Sequence, residues 1–220
     1  MSTSQEPEPL RPLSDSQRET LEEATSSYQA AVTGHAGTYL ARRGIDPASA
    51  AMFRLGVVVD PMPGHDRFRG FLAIPYLDHR DQPLALRFRC LAEHDHRAGG
   101  HGKYMSETGD TGRMFNVRAV HQAGDVIHVC EGELDAIILA KLGLHAVALP
   151  GALAWQPRHR RMLAGFSRVW VWGDPDDAGA DFIARIVRAH RAAKGVRLRH
   201  GDVTDTYLHG GGNALLALIA

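Results

Sequence analysis

The chain has 220 residues, 44% hydrophobic and 23% charged, with 25 basic and 25 acidic residues and a formal net charge of zero. That length holds one large domain or two small ones around a real core, and the balance of charge argues against holding duplex nucleic acid by bulk electrostatics alone. No run approaches a membrane span, Met1 to Arg11 lacks the apolar centre of a signal peptide, and the lone Cys90 and Cys130 suit a reducing, cytoplasmic compartment without a disulfide framework or zinc knuckle.

Residues 1–15 are polar and aperiodic and read as a disordered lead. From Ser16 to Ala41 the pattern is helical, with Leu21, Ala24, Tyr28 and Ala31 on one face and a break expected at Gly34-His35-Ala36-Gly37. Gly44 is placed as a C-cap, and Asp46-Pro47 opens a short helix ending near Phe53. Leu55–Val59, Phe71–Tyr76 and Leu84–Leu91 read as strands. The last alternates, so Ala85, Arg87, Arg89 and Leu91 share a face. Two arginines placed this way form either a solvated face or an anion-binding stripe. Glu93 to Gly102 is a charged loop whose His94, His96 and His101, with Glu93 and Asp95, fit no metal-binding spacing; a solvated loop is expected. Lys103–Ser106 is a short extended piece, and Arg118–Ala123 a helix.

The second half alternates strand and helix. Strand Val126–Cys130 precedes helix Glu133–Leu142, capped by Gly143, and strand His145–Leu149 precedes a helix over 156–164. Strand Val169–Trp172 leads to a helix Ala178–Ala193, ended by Gly195, then a strand Val196–Arg199, and Leu215–Ile219 forms a C-terminal helix. Trp155, Trp170 and Trp172 are expected to pack around the sheet. This alternation predicts an α/β fold with a mostly parallel central sheet flanked by helices over 124–210. A smaller α+β basic subdomain over 16–123 precedes it, and a helix over 211–220 follows.

Acidic clusters sit at the ends of the apolar runs. Glu131-Gly132-Glu133-Leu134-Asp135 follows one strand, Asp174-Pro175-Asp176-Asp177-Ala178-Gly179 another, and Asp202-Val203-Thr204-Asp205 comes after a third. Carboxylates at the C-terminal edge of a parallel sheet lie where ligands bind, and a cage of oxygen donors suits Mg²⁺ or Mn²⁺. Taken singly, Asp176 and Asp177 are equally well explained as helix caps, and Asp205 as a turn cap. The first half concentrates arginine and lysine, including Arg42, Arg43, Arg67, Arg69, Arg87, Arg89 and Lys103, which permits a basic groove beside the acidic site.

In order, these motifs resemble a TOPRIM domain: a strand ending in Glu131-Gly132 with Asp135 beyond, then a strand ending in Asp174-Pro175-Asp176 with Gly179. Asp202 to Asp205 resembles the acidic stretch of the primase branch, without its Lys and Asn. Tyr39 to Ile45, Arg67 to Pro75, Leu86 to Arg89, Lys103 to Ser106, Phe115 to Val117 and Leu149 to Ala152 are similar to segments of the catalytic core of bacterial and phage DnaG-type DNA primases. The resemblance implies a TOPRIM fold and a nucleotidyltransferase that makes short RNA primers on a single-stranded DNA template from nucleoside triphosphates during DNA replication. It implies that Glu131, Asp174 and Asp176 hold Mg²⁺ or Mn²⁺, with Asp135, Asp202 and Asp205 supporting them. Arg69, Arg89 and Lys103 would bind triphosphate or template phosphates, and Tyr104 would stack on a base or pack in the core. The zinc-binding and helicase-binding domains of full-length primases are not matched. A minimal phage or mobile-element primase, partnered by a replicative helicase and a separate zinc-binding component, or a piece of a longer protein, is therefore expected. The alternatives are a TOPRIM metal-dependent nuclease and a non-catalytic nucleic-acid-binding adaptor.

Overall fold

Ser14 accepts the Gln17 N–H while the Gln17 side chain takes the Ser14 N–H, and this reciprocal cap starts helix α1 (Asp15–Ala30). The computed structural model describes residues 10, 12–32, 34–107, 112–150, 155–199 and 201–220. Most of the expected disordered lead, and Gly151-Ala152 of the segment after the second parallel strand, lie outside the described residues. Helix α2 (Gly34–Arg42) begins at Gly34, so the expected break falls before the glycine pair and not on it. Gly44, at φ +75, ends that turn, and Asp46 caps α3 (Pro47–Met52) through the Ser49 N–H.

Strands β1 (Gly56–Val57), β2 (Leu72–Leu77), β3 (Pro83–Arg89) and β4 (Tyr104–Ser106) form an antiparallel sheet in that order. After α4 (Arg118–Gln122) comes β5 (Val126–Cys130), α5 (Glu133–Lys141), β6 (Ala146–Ala148), α6 (Pro157–Leu163), β7 (Arg168–Gly173), α7 (Asp177–Ala189) and β8 (Ala193–Arg197). These four strands are parallel, in the order β6-β5-β7-β8. The chain therefore leaves β5 for one side of the sheet and returns to its other side as β7. The crevice at the carboxyl ends of β5 and β7 is a topological switch point, where open parallel sheets bind ligands.

Helix α5 is apolar almost all round and buried from Glu133 to Leu139. A helix of that kind belongs between two layers. It lies in a core shared by both sheets, where Leu134, Ile137 and Ile138 join Leu72, Ile74 and Tyr76 of β2 with Ala146 and Trp172 of the parallel sheet. A second core lies on the other face of the parallel sheet, with Val129, Val169 and Val171 against Phe182 and Ile186 of α7. A third packs α1 on the antiparallel sheet through Leu21, Tyr28, Leu86 and Phe88.

Two sequence-based boundaries are corrected. Helix α7 stops at Ala189 and β8 starts at Ala193, so Gly195 lies inside a strand and does not end the helix. A Cβ there would stand 2.4 Å from Ile183 Cγ2, so its smallness is used to let α7 approach the sheet. Helix α8 (Val203–Leu216) starts directly after Asp202 and runs across residue 210, where the C-terminal helix was expected to be separate. Its kink at Gly211, φ +68, marks the only discontinuity within it.

Candidate active site

The parallel register pairs Cys130 with Trp172, which sets Glu131, just past β5, beside the residues that follow β7. The Asp174 N–H donates to Glu131 Oε1 at 3.0 Å, joining the two strand ends. Asp176 caps α7, its Oδ1 accepting the Gly179 N–H at 2.8 Å. Gly179 is required by contact: a Cβ would lie 2.1 Å from the Asp174 carbonyl oxygen. Burial, then the neighbouring Asp174 and Asp176, pushes the Glu131 carboxyl up to about 7. Burial, then Asp202, Asp176 and Asp205, pushes Asp174 up to about 6, with Arg43 opposing. The three acidic segments thus converge on one edge. Among the described residues no ion pair reaches Glu131, Asp174 or Asp176.

Asp135, Asp202 and Asp205 have protein partners. Buried Asp135 accepts the Thr204 N–H at 3.0 Å and the Thr204 hydroxyl at 2.7 Å, which ties α5 to the first turn of α8. Burial and Asp202 push its pKa up. Its Oδ2 would stand 2.7 Å from a Cβ on Gly132, so the glycine makes room for it. Asp202 caps α8 through the Asp205 N–H and accepts from Arg43 at 3.1 Å, while Asp205 lies 3.7 Å from the same guanidinium. Burial works against the Arg43 charge more than any one neighbour supports it, but Asp202, Tyr39, Asp135 and Asp205 together outweigh it and raise its pKa.

The arginines of β3 are not a solvated face. Arg87 pairs with Glu133 at 2.7 Å, and the Tyr76 hydroxyl donates to the same carboxylate at 2.6 Å. Arg89 is buried and donates to the Tyr104 hydroxyl. The Tyr104 ring is covered by the Arg87 and Arg89 guanidinium groups at 4.9 and 4.8 Å, an arrangement that occupies its face and leaves base stacking without support. Lys103 is exposed, and burial together with nearby Arg89 and Arg43 lowers its pKa. Arg89, Lys103, Arg42 and Tyr39 line a cleft of about 760 Å³. Arg69 is absent from that lining and donates to the Val59 carbonyl at 2.7 Å.

Sequence reasoning left three features unassigned. Arg43 links the basic cleft to the acidic edge; it was counted among the basic residues of the first half, but only α8 folding back shows what it faces. Glu133 was read as helix start alone, although a Glu beside an arginine-bearing strand is a pairing signal. Cys90, His94, His96 and His101 come together with their donor atoms within 4.8 Å of one another, so the loop, exposed along most of its length as expected, also carries a cluster. Its Cys-x-x-x-His-x-His spacing was legible, but lay outside familiar patterns.

Residues 128–205 match the Toprim-like family. Gene 57 protein of Mycobacterium phage D29 is 32% identical over 159 residues, covering 69% of this chain and 99% of the phage protein. The chain belongs to this Toprim-like family. The RNA polymerase domain of Mycobacterium tuberculosis primase DnaG superposes with a TM-score of 0.76 at 22% identity, over 94% of this chain and 83% of that one. A DnaG primase catalytic domain bound to single-stranded DNA gives 0.74 at 19%, over 92% and 77%. The Toprim-like chain therefore has the fold of a primase catalytic core. Family membership implies a divalent cation, and the donors fit one. Glu131 and Asp174 are half-buried carboxylates pushed upward by burial first and then by neighbouring acids, Asp174 and Asp176 for Glu131 and Asp202, Asp176 and Asp205 for Asp174, with only the Asp174 N–H bonded between them. No described helix is long and apolar enough to cross a membrane.

Proposed function

We propose that this Toprim-like protein is a DNA primase catalytic core, a nucleotidyltransferase that extends a ribonucleotide primer on single-stranded DNA. The observation that carries the reading is the pairing of two opposite sites. Glu131, Asp174 and Asp176 gather at the switch point, and Arg43, Arg89 and Lys103 gather beside them across the shared core. Mg²⁺ or Mn²⁺ held by those three acids would neutralise charge on the transferring phosphoryl group and the leaving pyrophosphate. Arg89 and Lys103 bind triphosphate or template phosphates, a task for which planar guanidinium forks and mobile ammonium groups suit oxygens without reading sequence. Glu131 is the candidate to accept the 3′-hydroxyl proton. Asp135 and Asp202 hold α8 and Arg43 in place, and Arg69 belongs to template contacts outside the cleft. The partners are single-stranded DNA, nucleoside triphosphates, a replicative helicase and a separate zinc-binding primase component, in the cytoplasm.

The test is primer synthesis on mixed single-stranded DNA templates with labelled ribonucleotides and Mg²⁺ or Mn²⁺, with Asp174→Ala/Asp176→Ala as the control. Short products that fall on the order of a thousandfold in the variant are expected. Template degradation that depends on Asp174 would overturn the reading in favour of a nuclease. Metal binding and DNA binding with neither activity, even with a helicase added, would assign an adaptor.

A further inference from the structure

The β3–β4 loop holds a second cluster of donors on the opposite sheet. Cys90 lies just past β3, and its N–H donates to the Lys103 carbonyl at 2.9 Å, which closes the loop at its base. Within it, Asp95 accepts the Arg97 and Ala98 N–H groups at 2.9 and 3.2 Å, and the His101 N–H donates to the His96 carbonyl at 3.0 Å. These turns bring three imidazoles together, with ring centroids 4.6, 5.0 and 5.4 Å apart.

The donor atoms of Cys90, His94, His96 and His101 all lie within 4.8 Å of one another. His94 Nε2 and His101 Nε2 are 3.0 Å apart. The Nδ1–H of His101 donates to the Gly102 carbonyl at 3.0 Å, which leaves Nε2 with its lone pair toward the cluster, the backing that metal-bound histidines receive. His96 Nδ1 is buried with no hydrogen-bond partner among the described residues. Gly99 lies over the group, its Cβ position 3.4 Å from both Nε2 atoms. Here four nitrogen and sulfur donors face one point, and the loop's acidic Asp95 is spent on backbone N–H groups.

We propose that Cys90, His94, His96 and His101 form a structural zinc site. Four donors about 2.0–2.3 Å from one ion lie roughly 3.3–3.8 Å from one another in a tetrahedron, close to the spacing here. One thiolate and three imidazoles suit Zn²⁺, and four protein ligands leave no open position for water or substrate. The ion fixes the loop that carries Lys103 and sets His94 and His96 on the rim of the basic cleft. This inference does not rest on the polymerase reading, because the site is remote from the carboxylates in sequence and chemistry.

The full chain, purified without chelator or a metal-affinity tag, is analysed for metal by mass spectrometry, and the cobalt-exchanged protein by visible absorption. About one zinc per chain and a cobalt spectrum with thiolate charge transfer are expected. His94→Ala/His101→Ala should lose the zinc while far-UV circular dichroism stays unchanged. Cys90→Ser should lose the charge-transfer band, and His79→Ala should keep both signals. Removing zinc should lower Tm, with recovery on Zn²⁺ and none on Mg²⁺. Less than about a tenth of an equivalent with no cobalt spectrum, or zinc that survives in the His94→Ala/His101→Ala protein, would overturn the proposal.

Discussion

Two sets of carboxylates meet at the same edge and do different work. Glu131 and Asp174 are joined by one N–H and pushed toward neutrality by burial and by the acids around them. Asp135 and Asp202 are engaged by Thr204, by the Asp205 N–H and by Arg43. The first set is short of positive charge and is suited to receive a cation; the second holds α8 and Arg43 where the first set needs them. Identical side chains divide according to whether the fold has already supplied their partners.

Removing members of each set sharpens that division. The largest stability effect belongs to Asp135→Ala, which leaves the Thr204 N–H and hydroxyl without their buried acceptor. A loss of about 1–3 kcal/mol in urea unfolding is expected. Glu131→Gln should cost nothing or stabilise the metal-free chain, because it removes a repelled charge; equal losses in both variants would erase the distinction.

A smaller effect is expected from pH. Glu131 and Asp174 sit at about 7 and about 6, above their ordinary 4.5 and 3.8. Between those limits these two groups bind more protons in the folded chain than in the unfolded one, so their contribution to stability is fully present below the unfolded values and is lost as pH rises toward 7. Buried His128, held down to about 4, works in the opposite sense. In magnesium-free buffer, the Tm of the unaltered chain minus that of Glu131→Gln should therefore decline from about pH 4.5 to 7, and Mg²⁺ should flatten that decline. A difference that rises over this interval without metal would contradict the assignment.

Much of the parallel half was legible because each boundary carries local chemistry. Strand β5 ends at Cys130 as its apolar run predicts, and α5 starts at Glu133 after Gly132. The carboxylates past β5 and β7 were legible for the same reason, since a parallel sheet delivers every strand end to one edge. Tertiary decisions were not. Gly210, Gly211 and Gly212 mask α8, which forms because the Asp202 cap and the Thr204 contact to Asp135 hold its first turn. Alternation on β3 placed Arg87 and Arg89 together but could not show that α5 would bring Glu133 against Arg87. The histidine loop was likewise opaque, because its turns, not its spacing, bring Cys90 into range.

The most direct test is a Mn²⁺ titration followed by electron paramagnetic resonance on the unaltered chain, Glu131→Gln and Asp202→Asn. The account predicts Mn²⁺ uptake in the unaltered chain, at least tenfold weaker in Glu131→Gln and close to unaltered in Asp202→Asn, about 1.4 kcal/mol of binding free energy separating the first two. Uptake untouched by Glu131→Gln, or abolished by Asp202→Asn alone, would contradict it.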